Sequence, residues 1–442
     1  MRNGLLGSIA ALAAGAGLAF AQSPRLTPAG PVAGPPAMVA PAANEPVPSA
    51  AYCPPGEMGS PAVDMVGPGA AQATGREHPC VWIEGENLLW GVKNGPNHWP
   101  LIVSGNIPNG AVPGAPGALV IFGNGDYDYG LIDGARARAG MLFPGSSWFG
   151  LEAEGLILPR RTLTGAAASG PLGIPVIGEP FINTATGLVS SVNASSPANP
   201  GSMSAQASIE LWTAEVNAYA SLYRGDVLHV SVISGFKHFD LAELLVVDAS
   251  RTIGSAGQTF LGRPLAIGSA VAWEDRFDTT NRFYGWELGV NYELVYGRWV
   301  ANLDLHSAIG SMRESVDYGG FSQATTGPAA ARVTQQVPGG VLAAISTLGR
   351  RTTDNFAWVP ELRAELGYRL TRNIRVSMGY TFLYASNTVR PGNQIDTMVN
   401  PTIVPLRPEY GLAAPVPVRP LPQVHHSDFW AQGVNWSLNI AF

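Results

Sequence analysis

Residues 283–306 read FYGWELGVNYELVYGRWVANLDLH, and this stretch decides the fold class. From Tyr284 to Tyr296 every second residue is apolar, while glycine, asparagine and glutamate occupy most of the positions between them. A period of two places alternate side chains on opposite faces of a β-strand, whereas a helix would spread them around its surface. The alternation resumes at Trp299, so Gly297-Arg298 predicts a tight turn between two antiparallel strands.

A second pair of alternating segments repeats this hairpin nearer the C-terminus. Apolar and mostly charged residues alternate from Leu362 to Leu370, the chain turns at 371–373, and the alternation continues from Ile374 to Tyr384. Such arms are longer than the five or six residues usual in soluble sheets. At about 3.4 Å per residue and a tilt of about 40°, ten residues span roughly 25 Å, the apolar height of an outer-membrane barrel.

The composition shows apolar character that is dispersed along the chain. Charged residues make up 13% of the sequence, about half the usual share of a soluble domain, yet no run of about 20 apolar residues follows the N-terminus. The 53 glycines and 37 prolines argue against an all-helical protein. A net charge of −6 excludes the basic face that nucleic-acid binding requires, so no nucleic-acid partner is predicted.

We therefore predict an all-β protein, a transmembrane antiparallel up-and-down β-barrel of about 12 strands (10–14) with long extracellular loops. Short turns at one end and long Gly/Pro-rich connections at the other support this prediction. A secreted β-sandwich is the alternative, because its strands would alternate too. The barrel is favoured by charged residues midway along strands, which a water-filled lumen would solvate, and by aromatic residues near strand ends, which suit an interfacial girdle.

The twelve predicted strands are 81–90, 130–143, 146–158, 207–223, 226–237, 239–251, 270–280, 283–296, 299–313, 356–370, 373–387 and 428–441. The predicted girdle residues are Trp82, Trp90, Tyr284, Tyr296, Trp299 and Trp430.

The N-terminal part has a different composition from the predicted barrel, which we assign to residues 80–442. Residues 1–21 resemble a cleavable signal peptide, with Arg2, an apolar stretch and Ala19-Phe20-Ala21 as the cleavage site. Residues 22–79 are rich in Pro, Ala and Gly and predict a disordered periplasmic linker. Export permits a disulfide between Cys53 and Cys80, with two unpaired thiols as the alternative.

The last predicted strand alternates up to the final residue. Trp430, Trp436 and Phe442 share the apolar face, and a terminal aromatic on such a strand resembles the signal read by barrel-assembly machinery. The stretch 427–435, SDFWAQGVN, resembles the closing motif of the BBP7 family of β-barrel porins, and 82–90, WIEGENLLW, resembles its opening strand. Residues 394–396 and 399–401 resemble the loop before its last strand. The resemblance implies a β-barrel in a bacterial outer membrane.

The sequence contains no catalytic, cofactor-binding or metal-binding motif, so we predict neither an enzyme nor a cofactor. The predicted function is a passive, weakly selective channel for small solutes; the alternative is a non-conducting surface or structural barrel that presents long loops. The predicted partners are outer-membrane lipid, the barrel-assembly machinery, small solutes and a second copy of the chain in a homo-oligomer. The residues predicted to line the lumen and set selectivity carry both signs of charge, namely Glu287, Glu293, Asp304, Arg363, Glu365 and Arg375.

Overall fold

The computed structural model describes residues 81–143, 146, 148–328, 330–413 and 417–442. The signal peptide predicted for residues 1–21, the linker predicted for 22–79 and the disulfide predicted between Cys53 and Cys80 lie outside these ranges. They stay predictions. Within the described ranges, no helix is long and apolar enough to cross a bilayer.

The described chain forms eighteen β-strands and two short 3-10 turns. In chain order the strands are β1 (Val81–Val92), β2 (Pro100–Gly105), β3 (Leu119–Gly123), β4 (Leu131–Leu142), β5 (Phe149–Ala168), β6 (Val176–Asn183), β7 (Val189–Asn193), β8 (Gly201–Arg224), β9 (Leu228–Thr252), β10 (Thr259–Phe260), β11 (Arg263–Pro264), β12 (Ala270–Tyr296), β13 (Trp299–Thr326), β14 (Val333–Pro338), β15 (Gly349–Arg369), β16 (Ile374–Val389), β17 (Met398–Val399) and β18 (His426–Ala441). The 3-10 turns are Pro391–Gln394 and Pro401–Ile403.

Ten of these strands close one antiparallel barrel, which confirms the predicted fold class. Around the barrel the order is β1, β4, β5, β8, β9, β12, β13, β15, β16 and β18, and β18 pairs with β1 to complete the circle. The strand β14 extends the sheet beyond the barrel by pairing with β13. We call the end with the links 225–227, 297–298 and 370–373 the turn end, and the opposite end, with the long connections, the loop end.

The barrel has ten strands where the sequence predicted about twelve, because two predicted pairs are each one long strand. The segments 226–237 and 239–251 form the 25-residue β9, and 270–280 and 283–296 form the 27-residue β12. A membrane crossing takes about 9–11 residues, so these strands continue well beyond the apolar band. Their alternation is uninterrupted, but the apolar residues change sides part of the way along.

The strand β12 shows this change of sides most clearly. Towards the turn end its outer face is apolar and exposed, with Tyr284, Trp286 and Leu288, while Glu287 faces inward and is buried. Towards the loop end its outer face is polar, and the apolar side chains point inward instead, among them Trp273, Phe277 and Phe283. The turn-end half therefore has the polarity of a membrane protein, and the loop-end half has that of a water-soluble barrel with an apolar core.

The long connections at the loop end fold into structure of their own. We call them the cap, comprising residues 93–130, 169–200, 253–269, 330–348, 390–413 and 417–425. Within the cap, β17, β6, β2 and β3 form one small sheet, and β7 pairs with β6. Buried cap residues such as Leu101, Ile177 and Phe181 join the same apolar cluster as Trp273 and Phe283 of the barrel. The cap thus packs into the loop end of the barrel.

The predicted aromatic girdle is wrong for Trp82 and Trp90. Both side chains point into the barrel and are 1% and 0% exposed. Residues 82, 84, 86, 88 and 90 share one face of β1, so Glu84 and Glu86 cannot face the lumen unless both tryptophans do. Tyr284, Tyr296 and Trp299 are exposed on the outer surface, as predicted.

Candidate functional site: the barrel lumen

All six side chains predicted to line the lumen point into it. The strands β12, β13, β15 and β16 place them on their inward faces, and their exposures lie between 0% and 7%. Strand alternation was sufficient to find them, because charged and apolar residues occupy opposite faces of these strands near the turn end. These residues are Glu287, Glu293, Asp304, Arg363, Glu365 and Arg375.

Further charged residues, some of them from the opposite wall, meet this set. Arg136 and Arg138 come from β4, Glu215 from β8, Lys237 from β9 and Glu361 from β15, and the sequence-based prediction missed all five as lumen residues. The sequence did contain a signal for them, because each lies two positions from another inward-facing residue of its own strand. We call the following group the lumen ion cluster: Glu86, Arg136, Arg138, Glu154, Glu215, Lys237, Glu287, Asp304, Glu361 and Arg363.

Ion pairs in the cluster reach from one wall of the barrel to the other. Arg363 lies on β15 and Glu154 on β5, five strands away around a ten-stranded circle, yet Arg363 Nη2 is 3.0 Å from Glu154 Oε1. Arg136 on β4 is 2.7 Å from Glu361 Oε1 through Nη2 and 3.0 Å from Glu154 Oε1 through Nε. These two arginines therefore join opposite walls through the same pair of carboxylates.

The ammonium group of Lys237 forms a second centre in the cluster. Its Nζ atom lies 2.5 Å from Glu215, 3.2 Å from Glu287 and 2.9 Å from Glu361. Lys237 is fully buried, and so is Glu287. Since Glu361 also pairs with Arg136, the two centres form one continuous network across the lumen.

This network closes the lumen at the level of the cluster. A water-filled passage would leave its lining side chains exposed, whereas Arg136, Lys237, Glu287 and Arg363 are at most 2% exposed. Most of these charges are compensated by neighbouring charges of opposite sign instead of by water. The water-filled lumen expected from the sequence is therefore wrong for this part of the barrel.

An apolar layer lies on the turn-end side of these charges. It consists of Trp82, Leu142, Tyr219, Ile233 and Ala441, all buried and in mutual contact. The indole of Trp82 crosses its neighbouring strand directly above Gly140, where a Cβ atom would lie 2.1 Å from the ring. A glycine is required at this position, because any side chain would displace the indole that fills the lumen there.

On the loop-end side, buried polar contacts hold the cap in the barrel mouth. The Arg390 guanidinium donates to both carboxylate oxygens of Glu243, and both side chains are fully buried. Asn281 of β12 exchanges two hydrogen bonds with the backbone of Val389, donating to its carbonyl at 2.9 Å and accepting from its N–H at 2.7 Å. Because β13 and β15 lie between β12 and β16, these bonds connect strands that are not neighbours in the barrel.

The residues that resemble the loop before the family's last strand have a structural role in the cap. Gln394 is buried; its amide donates to the carbonyl of His425 at 2.8 Å and its oxygen accepts from the His425 N–H at 2.9 Å. Asp396 accepts from Arg419 Nη1 and from the Leu421 N–H, each at 2.8 Å. These contacts fold residues 390–413 and 417–425 back towards the start of β18.

An acidic pair lies where the cap meets β12. The Trp273 indole N–H donates to Glu179 Oε2 at 2.9 Å, and Asp275 accepts from the backbone N–H groups of Val341 and Ala343. Burial, and then the neighbouring charge of Asp275, raise the pKa of the Glu179 carboxyl well above its usual range. Burial raises the pKa of Asp275 as well, and the backbone hydrogen bonds it accepts counteract that shift.

The predicted assembly-signal residues lie on the outer face of β18. Trp436 and Phe442 are exposed, and Trp430 is partly buried. The N–H of Phe442 donates to the carbonyl of Val81 at 2.8 Å, where the last strand meets the first. Their role in assembly stays a prediction.

Two groups of lumen side chains have the composition of a metal site. Glu215, Glu287 and His306 form one, but the Lys237 ammonium already lies between its two glutamates. Glu84, Glu86 and Glu365 form the other, with carboxylate oxygens within 4.8 Å of one another. The sequence-based prediction assigned no metal to either group.

Comparison with solved structures finds distant similarity to bacterial outer-membrane barrels. The outer membrane protease OmpT from Escherichia coli is 10% identical, with 84% of this chain and 98% of that chain covered and a TM-score of 0.36. The toluene transporter TodX from Pseudomonas putida is 9% identical, with 82% and 89% covered and a TM-score of 0.19. An anion-selective porin from Comamonas acidovorans is 9% identical, with 83% and 100% covered and a TM-score of 0.16. At these TM-scores the three proteins say nothing about the activity of this chain.

The sequence itself gives a more specific result. Comparison with curated proteins finds no match. Residues 82–442 match the family described as "Putative beta barrel porin-7 (BBP7)", a range that includes the whole barrel beyond its first residue. The chain therefore belongs to the BBP7 family of β-barrel porins.

Proposed function

We propose that this BBP7 barrel lies in the bacterial outer membrane as a non-conducting barrel that presents its cap on the cell surface. The observation that carries this proposal is the contact of Arg363 with Glu154 across the full width of the lumen. Ions and small solutes need a continuous aqueous path, and the cluster replaces that path with paired, buried charges. Of the two functions that the sequence left open, the geometry supports this one better.

The cap supports a role at the outer surface. Its connections are long, ordered by their own sheet and anchored by the buried pair Arg390–Glu243. Several apolar side chains of the cap are more than 60% exposed, among them Leu119, Leu172 and Leu188. In the proposed orientation these side chains face the cell exterior. Placing the turn end in the periplasm follows the usual orientation of such barrels.

The passive channel remains the second candidate, because the family is described as a porin and the lumen carries charges of both signs. Conduction through this structure would require the cross-lumen ion pairs to separate. Such a channel would open rarely, and it would need a conformation in which Arg363 and Arg136 leave Glu154 and Glu361.

Planar-bilayer recordings distinguish the two functions. The full chain is refolded in detergent, its folding is verified by heat-modifiable gel mobility, and it is reconstituted beside a known porin that reports successful insertion. We expect no regular conductance steps from the folded protein. Reproducible steps of one size in independent preparations would contradict the proposal and establish the channel.

A further inference from the structure

The membrane half of the lumen holds more negative than positive charge. Ten inward carboxyl groups face five guanidinium or ammonium groups, so with every carboxyl ionised five negative charges would be unmatched, or three when His229 and His306 both carry a proton. Arg224 and Arg369, the last residues of β8 and β15, lie at the turn-end rim and are not counted; counting both would still leave three carboxyl groups in excess. The carboxylates are Glu84, Glu86, Glu152, Glu154, Glu215, Glu287, Glu293, Asp304, Glu361 and Glu365. The bases are Arg136, Arg138, Lys237, Arg363 and Arg375.

Unmatched buried charge is strongly unfavourable, so this part of the lumen has to take up either protons or a bound cation. The structure concentrates the deficit at one place. Glu84, Glu86 and Glu365 bring carboxylate oxygens within 4.8 Å of one another, and none of the three residues is more than 7% exposed. We call them the lumen carboxylate triad.

Glycine at position 379 allows the triad to form. Gly379 lies on β16 between Glu365 of β15 and Asn435 of β18. A Cβ atom on Gly379 would lie 2.6 Å from Glu365 Cγ, so only glycine lets the Glu365 side chain cross this strand. The carboxylate then accepts from Asn435 Nδ2 at 3.1 Å, and the same amide group donates to Glu86 Oε2 at 3.1 Å.

Several buried oxygens beside the triad lack a hydrogen-bond donor among the described residues. They include Oε1 of Glu84 and Oε1 of Glu86, the latter 3.7 Å from Arg363 Nη1. The amide oxygen of Asn439 and the hydroxyl oxygen of Ser437 are also without a partner. Asn439 is paired with Glu84 and Ser437 with Glu86 in the register of β1 and β18, so these oxygens belong to the same level of the barrel.

The remaining triad oxygens have polar neighbours, but these neighbours do not supply the missing positive charge. Asn439 Nδ2 donates to Glu84 Oε2 at 2.9 Å, and Arg375 Nη2 lies 3.6 Å from the same oxygen. Arg136 Nη1 lies 3.4 Å from Glu86 Oε2, but its shorter contacts go to Glu154 and Glu361. The described residues give the Glu365 carboxylate one hydrogen-bond donor, the neutral Asn435 amide.

We propose that Glu84, Glu86 and Glu365 bind one Ca²⁺ ion in the barrel lumen, with Asn439 and Ser437 supplying neutral oxygens. Ca²⁺ takes six to eight carboxylate, carbonyl and hydroxyl oxygens at about 2.3–2.6 Å, in flexible geometry. Two oxygens on opposite sides of an ion bound at about 2.4 Å are roughly 4.8 Å apart, so the spacing of the triad oxygens is compatible with one shared ion. The triad contains no sulfur or imidazole ligand of the kind that transition metals prefer.

The test measures calcium retained by the folded barrel. Because the lumen is closed on both sides of the triad, the ion has to enter during folding. The full chain is therefore refolded from urea into detergent with CaCl₂ at about 1 mM, the upper end of the range in which extracellular calcium modules bind. Gel filtration removes free ion, and atomic emission measures what stays bound. We expect about one Ca²⁺ per wild-type chain.

The variants Glu365→Gln and Glu86→Gln keep the side-chain volume but remove a charged ligand each. We expect both to lose the bound ion, while the control Glu152→Gln retains it, because Glu152 is a lumen carboxylate outside the triad. Gel mobility before and after boiling establishes that each variant has folded. If a triad variant fails to fold, urea unfolding of the wild type serves instead: Ca²⁺ is expected to raise the midpoint more than Mg²⁺, relative to EDTA.

Three results would overturn the proposal. The first is a wild-type barrel that refolds with CaCl₂ but holds no calcium after gel filtration. The others are triad variants that retain bound calcium, or a Glu152→Gln control that loses as much bound calcium as they do. The first of these would assign the missing positive charge to protons shared among the carboxylates. Since conductance is not part of the readout, failure here leaves the closed-lumen proposal untouched.

Discussion

A charged side chain has very different consequences on the two surfaces of this barrel. Arg363 is 1% exposed and pairs with Glu154 and Glu361, so its removal would leave buried carboxylates uncompensated. We expect Arg363→Leu to lower the free energy of unfolding by about 3–5 kcal/mol, the usual cost of breaking a buried ion pair from one side. Urea titration of the refolded barrel in detergent, followed by gel mobility, measures this loss.

Arg350→Leu is the matched control for that substitution. Arg350 pairs with Asp317 at 3.0 Å on the outer surface near the loop end, and its side chain is 67% exposed. Because exposed ion pairs contribute about 0–1 kcal/mol, we expect this variant to unfold close to the wild type. Equal losses in the two variants would show that the lumen pairs do not stabilise the barrel.

At the scale of single strands, alternation in the sequence was sufficient to place the six predicted lumen residues of β12, β13, β15 and β16, but it put Trp82 and Trp90 of β1 on the wrong face. In the turn-end half of β12 the charged positions and the lipid-facing positions have opposite parity, so one pattern assigns both faces. In β1 the acidic Glu84 and Glu86 share parity with Trp82 and Trp90, and all four point inward. Alternation shows which residues lie together; it does not show which face is inside when aromatic and acidic residues are mixed.

The boundary between the two halves of β12 can be tested on its outer face. Leu288 is exposed within the apolar half, and Thr280 lies on the same face within the polar half. We expect Leu288→Arg to destabilise the barrel in lipid vesicles by about 2–4 kcal/mol, because it places a charge in the apolar band. Thr280→Arg is expected to change stability by no more than about 0.5 kcal/mol, as exposed substitutions usually do. Similar losses from both would contradict the assigned band, and urea titration in vesicles decides between them.

At the scale of the whole molecule, the number of strands explains why the lumen is closed. Barrel diameter grows roughly in proportion to strand number, and about eight strands enclose a space that side chains just fill. In a barrel of ten, long Arg and Glu side chains from opposite walls still meet, as Arg363 and Glu154 do. The sequence predicted both charges to face inward, but contact between them depends on circumference and on the true length of β9 and β12. Local patterns contain neither quantity.

Closure of the whole barrel depends on the seam between β1 and β18, and Phe442 lies just beyond its last paired residue. Its side chain is 68% exposed, and its N–H makes one hydrogen bond, to Val81. Deleting Phe442 should therefore lower the stability of the refolded barrel by only about 1 kcal/mol. If Phe442 is an assembly signal, the same deletion should strongly reduce the amount of folded protein in the outer membrane of cells. Glu293→Gln, which removes one lumen charge, should reduce that amount less. Membrane fractionation and gel mobility measure insertion, and normal insertion of the truncated chain would refute the signal. Normal refolding together with failed insertion would show that the assembly machinery recognises Phe442 independently of the stability of the seam.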